Sequence, residues 1–421
     1  MNSWWARLTG TGKSRTEHDP PEPEPGLPVA GNTRWAINLY IRLKDQAGPY
    51  ENAACSPLSI ALALASLHAG ARDRTAAQLD AVLQAMAGNG SWPLTLAEFR
   101  AAVIAVAQEE QFVLGMANSL WAPTGPPFLP AFREALGRSH GAEIAQADFS
   151  HEEPARALLN QWFKGATRQL LDVAVARGAL TPDTRLVSIT ALCFKGYWAT
   201  PFGIQQTLDE PFRINPHTKI IAPMMWQRGA FPYGQFPFHF SGRLQVLELP
   251  YAGDSLAMVL LLPEDIEGIV ELERTLGRQP RKLDQWLSAL RTRDVDVALP
   301  KFTVGIRVHL DETLRDMGVI NAFSRQDADF SAMNTERDLF VSHMLHQTLV
   351  AIDEYGTTND RATSVGGATR RETDSTPPRP VPMFRADHPF LFLIRQRDSG
   401  QILVMGRVMA PTIAHKVTPI L

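Results

Sequence analysis

Hydrophobic positions in the first half of the chain recur mostly at helical spacing. Trp35, Ala36, Leu39, Tyr40 and Leu43 fall on one face of a period-3.6 helix, with Asn32 placed to cap it. Ser56-Pro57 opens a second helix, with proline in its first turn. The body of that helix, Ile60 to Leu67, is apolar on nearly every side and should be fully buried. Thr75 to Leu83 and Pro93 to Ala107 read as further helices, and Gln111 to Trp121 as a strand. Ala155 to Val175 reads as one helix with Trp162, Leu170 and Leu171 toward the core. Beyond it the texture becomes β-like. Arg185 to Trp198 is a long strand run, and Leu244–Leu249 and Leu256–Leu262 flank a hairpin turn at Tyr251-Ala-Gly-Asp254. Val295–Leu299, Val304–Val308, Leu345–Ile352, Phe390–Ile394 and Ile402–Val408 are further strands. Helices first and strands later, without βαβ alternation, predict an α+β fold with mainly antiparallel sheets.

Two segments fall outside this pattern. Asp19 to Pro28 packs prolines into an extended linker, so residues 1 to about 29 are expected to form a disordered tail. That tail shows no signal-peptide pattern. Its Gly10-Thr-Gly-Lys-Ser14 lacks the first glycine of a phosphate-binding loop, since Arg7 stands there. The second segment runs from Gly356 to Pro382, polar and without periodicity, between two strong strands. Loops of that length are uncommon in compact domains and are usually functional or disordered.

Charge and candidate chemistry narrow the function. The chain has 41 basic and 44 acidic residues, a net of -3, so neither nucleic acid nor an anionic membrane is an expected partner. No apolar run is long enough to predict a transmembrane helix. The two cysteines, Cys55 and Cys193, cannot build a disulfide framework, and buried free thiols are expected. No nucleophile elbow, dinucleotide fingerprint, His-Glu-x-x-His or Cys-x-x-Cys is present. His343 and His346, three apart on a strand, would face opposite sides, so no metal site is expected, nor any cofactor. Glu264, Asp265 and Glu267 sit in a turn and read as solvated. No constellation suggests an enzyme.

The ordered motifs resemble one family. Asn32-Thr-Arg-Trp-Ala-Ile-Asn-Leu-Tyr40, Ser56-Pro-Leu-Ser-Ile60 and Gly70 to Gln78 are similar to the opening blocks of the serpins, the serine protease inhibitor superfamily. Phe194-Lys-Gly-Tyr-Trp198 with Phe202, Met224-Met225 with Gly229, Phe231 and Tyr233, and Leu299-Pro-Lys-Phe302 follow in the family's order. Ala328-Asp-Phe-Ser-Ala-Met333, Asp387-His-Pro-Phe-Leu-Phe392 and Gly406-Arg-Val408 complete the set. The resemblance spans about Asn32 to Pro411. It implies one domain, residues 30–415, with three mainly antiparallel sheets, eight to nine helices and an exposed reactive-centre loop at about 354–383.

It also implies a mechanism. A serine protease attacks the loop, and the cut loop enters the main sheet as a new strand and traps the acyl-enzyme. Glu354-Tyr-Gly-Thr357 resembles the loop hinge, and family spacing places the cut bond at Arg370-Arg371, bait for an Arg-specific, trypsin-like protease. Counting back from Pro389 lands nearer Pro378, so Arg371 and Arg379 stay open as alternatives. Ser56, Ser59 and His346 match a hydrogen-bonded cluster in the sheet-opening region, where Thr190 stands in place of an asparagine. Trp198 matches the tryptophan near the point where the loop enters. One departure counts against inhibition. Family inhibitors carry small residues past the hinge, and here Asn359 and Arg361 would share a face with Thr357 and be buried on insertion, at a cost of several kcal/mol for an unpaired arginine. A non-inhibitory binding or chaperone-like protein, cut as a substrate, is the alternative. A monomer is expected. Family members are mostly extracellular, and this chain shows no export signal, which leaves the compartment open.

Overall fold

The computed structural model describes residues 32–87, 90–108, 112–137, 141–239, 242–334, 336–356 and 380–412. The predicted tail and most of the predicted loop, Thr357, Asn359, Arg361, Arg370, Arg371 and Arg379 included, lie outside them. In chain order the first half holds α1 Thr33–Ala47, β1 Ala53–Cys55, α2 Pro57–Gly70, α3 Asp73–Ala87, α4 Trp92–Gln108, β2 Phe112–Pro123, α5 Pro130–Ala135, β3 Glu143–Ala147, α6 Glu152–Ala166 and β4 Leu186–Gly196. Next come β5 Thr207–Asn215, β6 Thr218–Phe238, β7 Gly242–Pro250, β8 Leu256–Pro263, α7 Ile269–Arg278, α8 Arg281–Ser288, β9 Arg291–Pro300 and β10 Phe302–His309. The chain continues through α9 Asp311–Asp316, β11 Val341–Ile352, β12 Met383–Arg385, β13 Phe390–Gln396 and β14 Ile402–Val408. No helix among the described residues is long and apolar enough to cross a membrane.

Among the described residues the strands form two continuous sheets. The main sheet has the order β10-β11-β4-β2-β3. The larger one runs β1-β14-β13-β8-β7-β6-β9-β12, with β5 added on β6. Three sheets were expected, and two of them are fused here. The 21-residue β6 pairs β5 along its first half and β7 along its last residues, and β9 spans the junction. Within the main sheet β11 pairs β4 in parallel and β2 pairs β3 in parallel, so that sheet is less antiparallel than the pattern suggested.

Local chemistry explains the helices and their ends. The Ser56 hydroxyl caps α2 by accepting from the Ser59 N–H (3.2 Å), and Pro57 loses no bond in the first turn. As expected, Ile60 to Leu67 is buried throughout, because α2 threads the core behind the main sheet. Asn32 does different work from that predicted. Its side chain caps nothing and instead pairs with Ile402, accepting from its N–H (2.9 Å) and donating to its carbonyl (3.0 Å), which ties α1 to β14. Helix α6 stops at Ala166 rather than continuing to Val175. Thr167 turns its hydroxyl back onto the Phe163 and Leu171 carbonyls, and Arg168 and Gln169 take left-handed backbone. Leu171, Ala174, Val175 and Leu180 then lie across the main sheet as a cover, packed on Val187, Ile189, Leu345 and Leu349. Cys193 sits in this cluster and Cys55 in the main core on the far face; both are free, and burial pushes the Cys193 thiol up to about 12.

Candidate functional site

The centre of the main sheet is a parallel seam. β11 and β4 run side by side from Val341/Leu186 to Val350/Phe194. Even-numbered β11 residues face α2, and odd-numbered ones face α6 and the cover. Two parallel strands can separate and admit one strand antiparallel to both, which replaces one slanted ladder by two perpendicular ones.

On the α2 face the seam is held by a polar cluster. The Ser56 N–H donates to His346 Nε2 (3.1 Å), and the Thr348 hydroxyl lies 2.8 Å from the same nitrogen. Nε2 accepts the Ser56 amide, so the ring proton belongs on Nδ1, which has no partner among the described residues. Complete burial holds the His346 imidazole down at about 3, so it is neutral at neutral pH. Thr190, opposite His346 in the register, donates to the Ser59 carbonyl (3.2 Å), and the Ser59 hydroxyl points at the Ala191 carbonyl (3.5 Å). Ser56, Ser59, Thr190 and His346 therefore do meet, bridging α2 to both seam strands. Thr348 was missed, although it lies two residues from His346 on one face of one strand. His343 and His346 do point to opposite faces, as their spacing implied.

At the upper end of the seam the chain turns. Glu354, Tyr355 and Gly356 wrap over the end of β4: Trp198 N–H donates to the Tyr355 carbonyl (2.8 Å), Phe202 N–H to that of Glu354 (2.8 Å), and Trp198 Nε1 to that of Asp353 (3.1 Å). The Trp198 ring stacks on Tyr251 at 4.7 Å and meets Phe202 edge-on. Gly356 has φ 136°, and a Cβ there would stand 2.1 Å from the Gly196 carbonyl oxygen. Only glycine fits, both for its dihedral and for that contact. It also forms antiparallel bridges with Asp353 and with Tyr197, just past the end of β4.

Glu354 is locked in place. Its carboxylate accepts from the Thr207 hydroxyl (2.7 Å) and pairs with Lys301 (2.5 Å). Burial pushes its carboxyl up, but the Lys301 and Thr207 hydrogen bonds outweigh that and hold it below its ordinary value. Lys301 and Thr207 were not singled out from the sequence. Lys301 lies within the Leu299-Pro-Lys-Phe302 motif, and a buried glutamate calls for a cation; Thr207 gives no such signal.

Two other family-like motifs are structural. Arg407 pairs with Glu273 (3.1 Å), which also accepts from the Tyr40 hydroxyl (2.7 Å), joining β14, α7 and α1. Asp387 is held well below the usual carboxylate range: burial opposes this, but hydrogen bonds from His388, Arg213 and Arg385 prevail.

The comparisons agree with this architecture. The family model described as serpin (serine protease inhibitor) matches residues 30–411. Leukocyte elastase inhibitor of Homo sapiens is 35% identical over 394 residues, covering 91% of this chain and 99% of that protein. Neuroserpin of Rattus norvegicus is 32% identical over 381 residues, covering 90% of each. Among solved structures, uncleaved ovalbumin superposes with a TM-score of 0.80 at 26% identity, covering 91% of this chain and 99% of that one. Serpin48 of Tenebrio molitor gives 0.77 at 27%, covering 91% and 97%. With a motif order, a sheet topology and a family match that coincide over nearly its whole length, the chain belongs to the serpin family.

Proposed function

We propose that the protein is a suicide inhibitor of a serine protease that cleaves after arginine, with Arg370-Arg371 as the cut bond. The observation that carries this reading is the closed parallel seam with a hairpin rung already laid at its upper end. Continuing the Asp353–Gly356 rung sets Thr357 opposite Ile352 and Ala368 opposite Val341. Residues 357–368 would thus fill the length of β11, and Arg370 would emerge just past its foot. A protease held on Arg370 would be carried the length of that strand, about 40 Å at ~3.3 Å per residue. Strand addition of this kind gains main-chain hydrogen bonds, and serpin loop insertion is itself an established instance of it.

In the same register Asn359 would lie opposite Val350 and Arg361 opposite Thr348, on the α2 face that His346 also lines. That favours the second reading, a serpin-fold protein cleaved as a substrate without trapping, because an unpaired arginine there costs several kcal/mol and slows insertion. The name of the elastase-inhibiting relative points to another bait: Val365 and Ala368 lie shortly before Arg370 and suit an elastase-type pocket.

One gel separates these readings. The protein is mixed with trypsin, chymotrypsin or leukocyte elastase and run under denaturing conditions. A covalent band at the summed mass with trypsin, and a new N-terminus at Arg371, supports the proposal. Such a band with elastase alone moves the bait. Clean cleavage with full recovery of protease activity rejects inhibition.

A further inference from the structure

At the foot of the seam, on the α6 face, three potential metal ligands from three elements converge. His309 ends β10, Asp311 begins α9 and His343 stands near the start of β11. One ligand atom from each lies within 4.8 Å of the other two. The β10·β11 register sets His309 opposite Leu345, and His343, two residues before Leu345, shares its face.

The surroundings orient each side chain. The Met344 N–H donates to Asp311 Oδ1 (2.8 Å), which fixes the carboxylate and leaves Oδ2 for a ligand. His343 hydrogen-bonds the Ala179 backbone, so one ring nitrogen is committed and the other keeps its lone pair. This is the outer-shell arrangement that sets tautomer and ring direction for ligating histidines. His309 is exposed, which opens the cluster to water.

The geometry points to a binding site for a zinc-class transition-metal dication, held by His309, Asp311 and His343 with water in the fourth position. Two imidazoles and one carboxylate suit zinc, copper(II) or nickel, whereas magnesium and calcium require oxygen ligands. Ligand atoms around tetrahedral zinc stand about 3.3 Å apart, so modest rotation of the exposed His309 closes the site. Arg307 lines the adjoining cavity of about 200 Å³ and donates to the Val173 carbonyl, and Arg315 lies near Asp311. Two guanidiniums against one carboxylate oppose a dication and weaken its binding.

Occupancy has a mechanical consequence. Ala179 belongs to the cover whose Ala174, Val175 and Leu180 pack on both seam strands. An ion on His343 would join β10, β11, α9 and, through Ala179, that cover, and would hold the seam shut. The resulting delay of loop insertion rests on the inhibitory reading; the binding itself does not.

Zinc chloride titrated calorimetrically into the chelator-treated full-length chain tests the site. One zinc should bind. His309→Ala and Asp311→Asn should each weaken binding at least about tenfold, while the exposed control His217→Ala leaves it unchanged and magnesium gives no heat. The melting temperature of the intact wild type should rise with zinc, and that of His309→Ala should not. Absence of zinc binding, or wild-type affinity in both ligand variants, overturns the site. After cleavage by protease the loop should insert more slowly with zinc bound than without; an unchanged insertion rate overturns the clamp. Calorimetry involves no protease, so its failure leaves the inhibitory reading standing, and a failed protease gel leaves the site standing.

Discussion

Acid should loosen the seam through His346. The imidazole is fully buried, its Nε2 accepts the Ser56 N–H, and burial holds it at about 3 against an ordinary 6.5. A protonated ring would turn an N–H toward the Ser56 N–H, donor against donor. In the unfolded chain the ring takes a proton below about pH 6.5; in the folded protein it does not until about pH 3. Stability is therefore complete above pH 6.5 and falls as pH drops through that window. At pH 5 the unfolded ring lies 1.5 units below its midpoint, and at about 1.36 kcal/mol per unit the loss is about 2 kcal/mol. The assay is urea unfolding at pH 7.5 and pH 5.0, followed by tryptophan fluorescence, for wild type and His346→Gln. Glutamine keeps an acceptor for the Ser56 amide but does not titrate. Burial also lowers the half-buried His68 and His343, so both proteins should weaken in acid, and the wild type by about 2 kcal/mol more. Equal losses would refute the assignment of acid sensitivity to His346.

Other substitutions probe the hinge and the loop. Gly356→Ala must accommodate a left-handed backbone and a Cβ against the Gly196 carbonyl, so it should destabilise by about 2 kcal/mol or more in urea and leave little covalent protease complex. Lys301→Met strips the buried Glu354 carboxylate of its cation; about 1–2 kcal/mol should be lost at pH 7, and the loss should shrink as pH falls and the carboxyl protonates. Arg361→Ala removes the charge that insertion would bury, and should raise the fraction of protease trapped per loop cleaved on a quantitative gel, with no change counting against the burial register.

Much of the local structure was legible in the residues, because helix α2 and the strands flanking Tyr251 are apolar runs bounded by clear cap and turn residues. Where the reading overran, the reason is specific. Leu170, Leu171 and Val173 extend the apolar texture of α6, but the Thr167 hydroxyl and the left-handed Arg168 and Gln169 end the helix first. Asn32 was the right residue with the wrong partner, since a cap and a tertiary bond to Ile402 look alike in sequence. The site was visible in part. Ser56, Ser59, Thr190 and His346 came from motif resemblance, but the parallel pairing of β4 with β11 brings together segments about 150 residues apart, beyond any local pattern. The Lys301–Glu354 pair and the His309–Asp311–His343 cluster depend on tertiary pairing too, so no single strand carries their spacing.

The most direct test of the account is the heat stability of the loop-cleaved protein. Limited proteolysis in the loop, followed by calorimetry of cut and intact chains, compares the two states. If the freed segment joins β4 and β11 as a sixth strand, the cut protein should melt far above the intact one. If it melts at or below the intact temperature, the seam does not open to the loop, and the trapping mechanism is wrong for this chain.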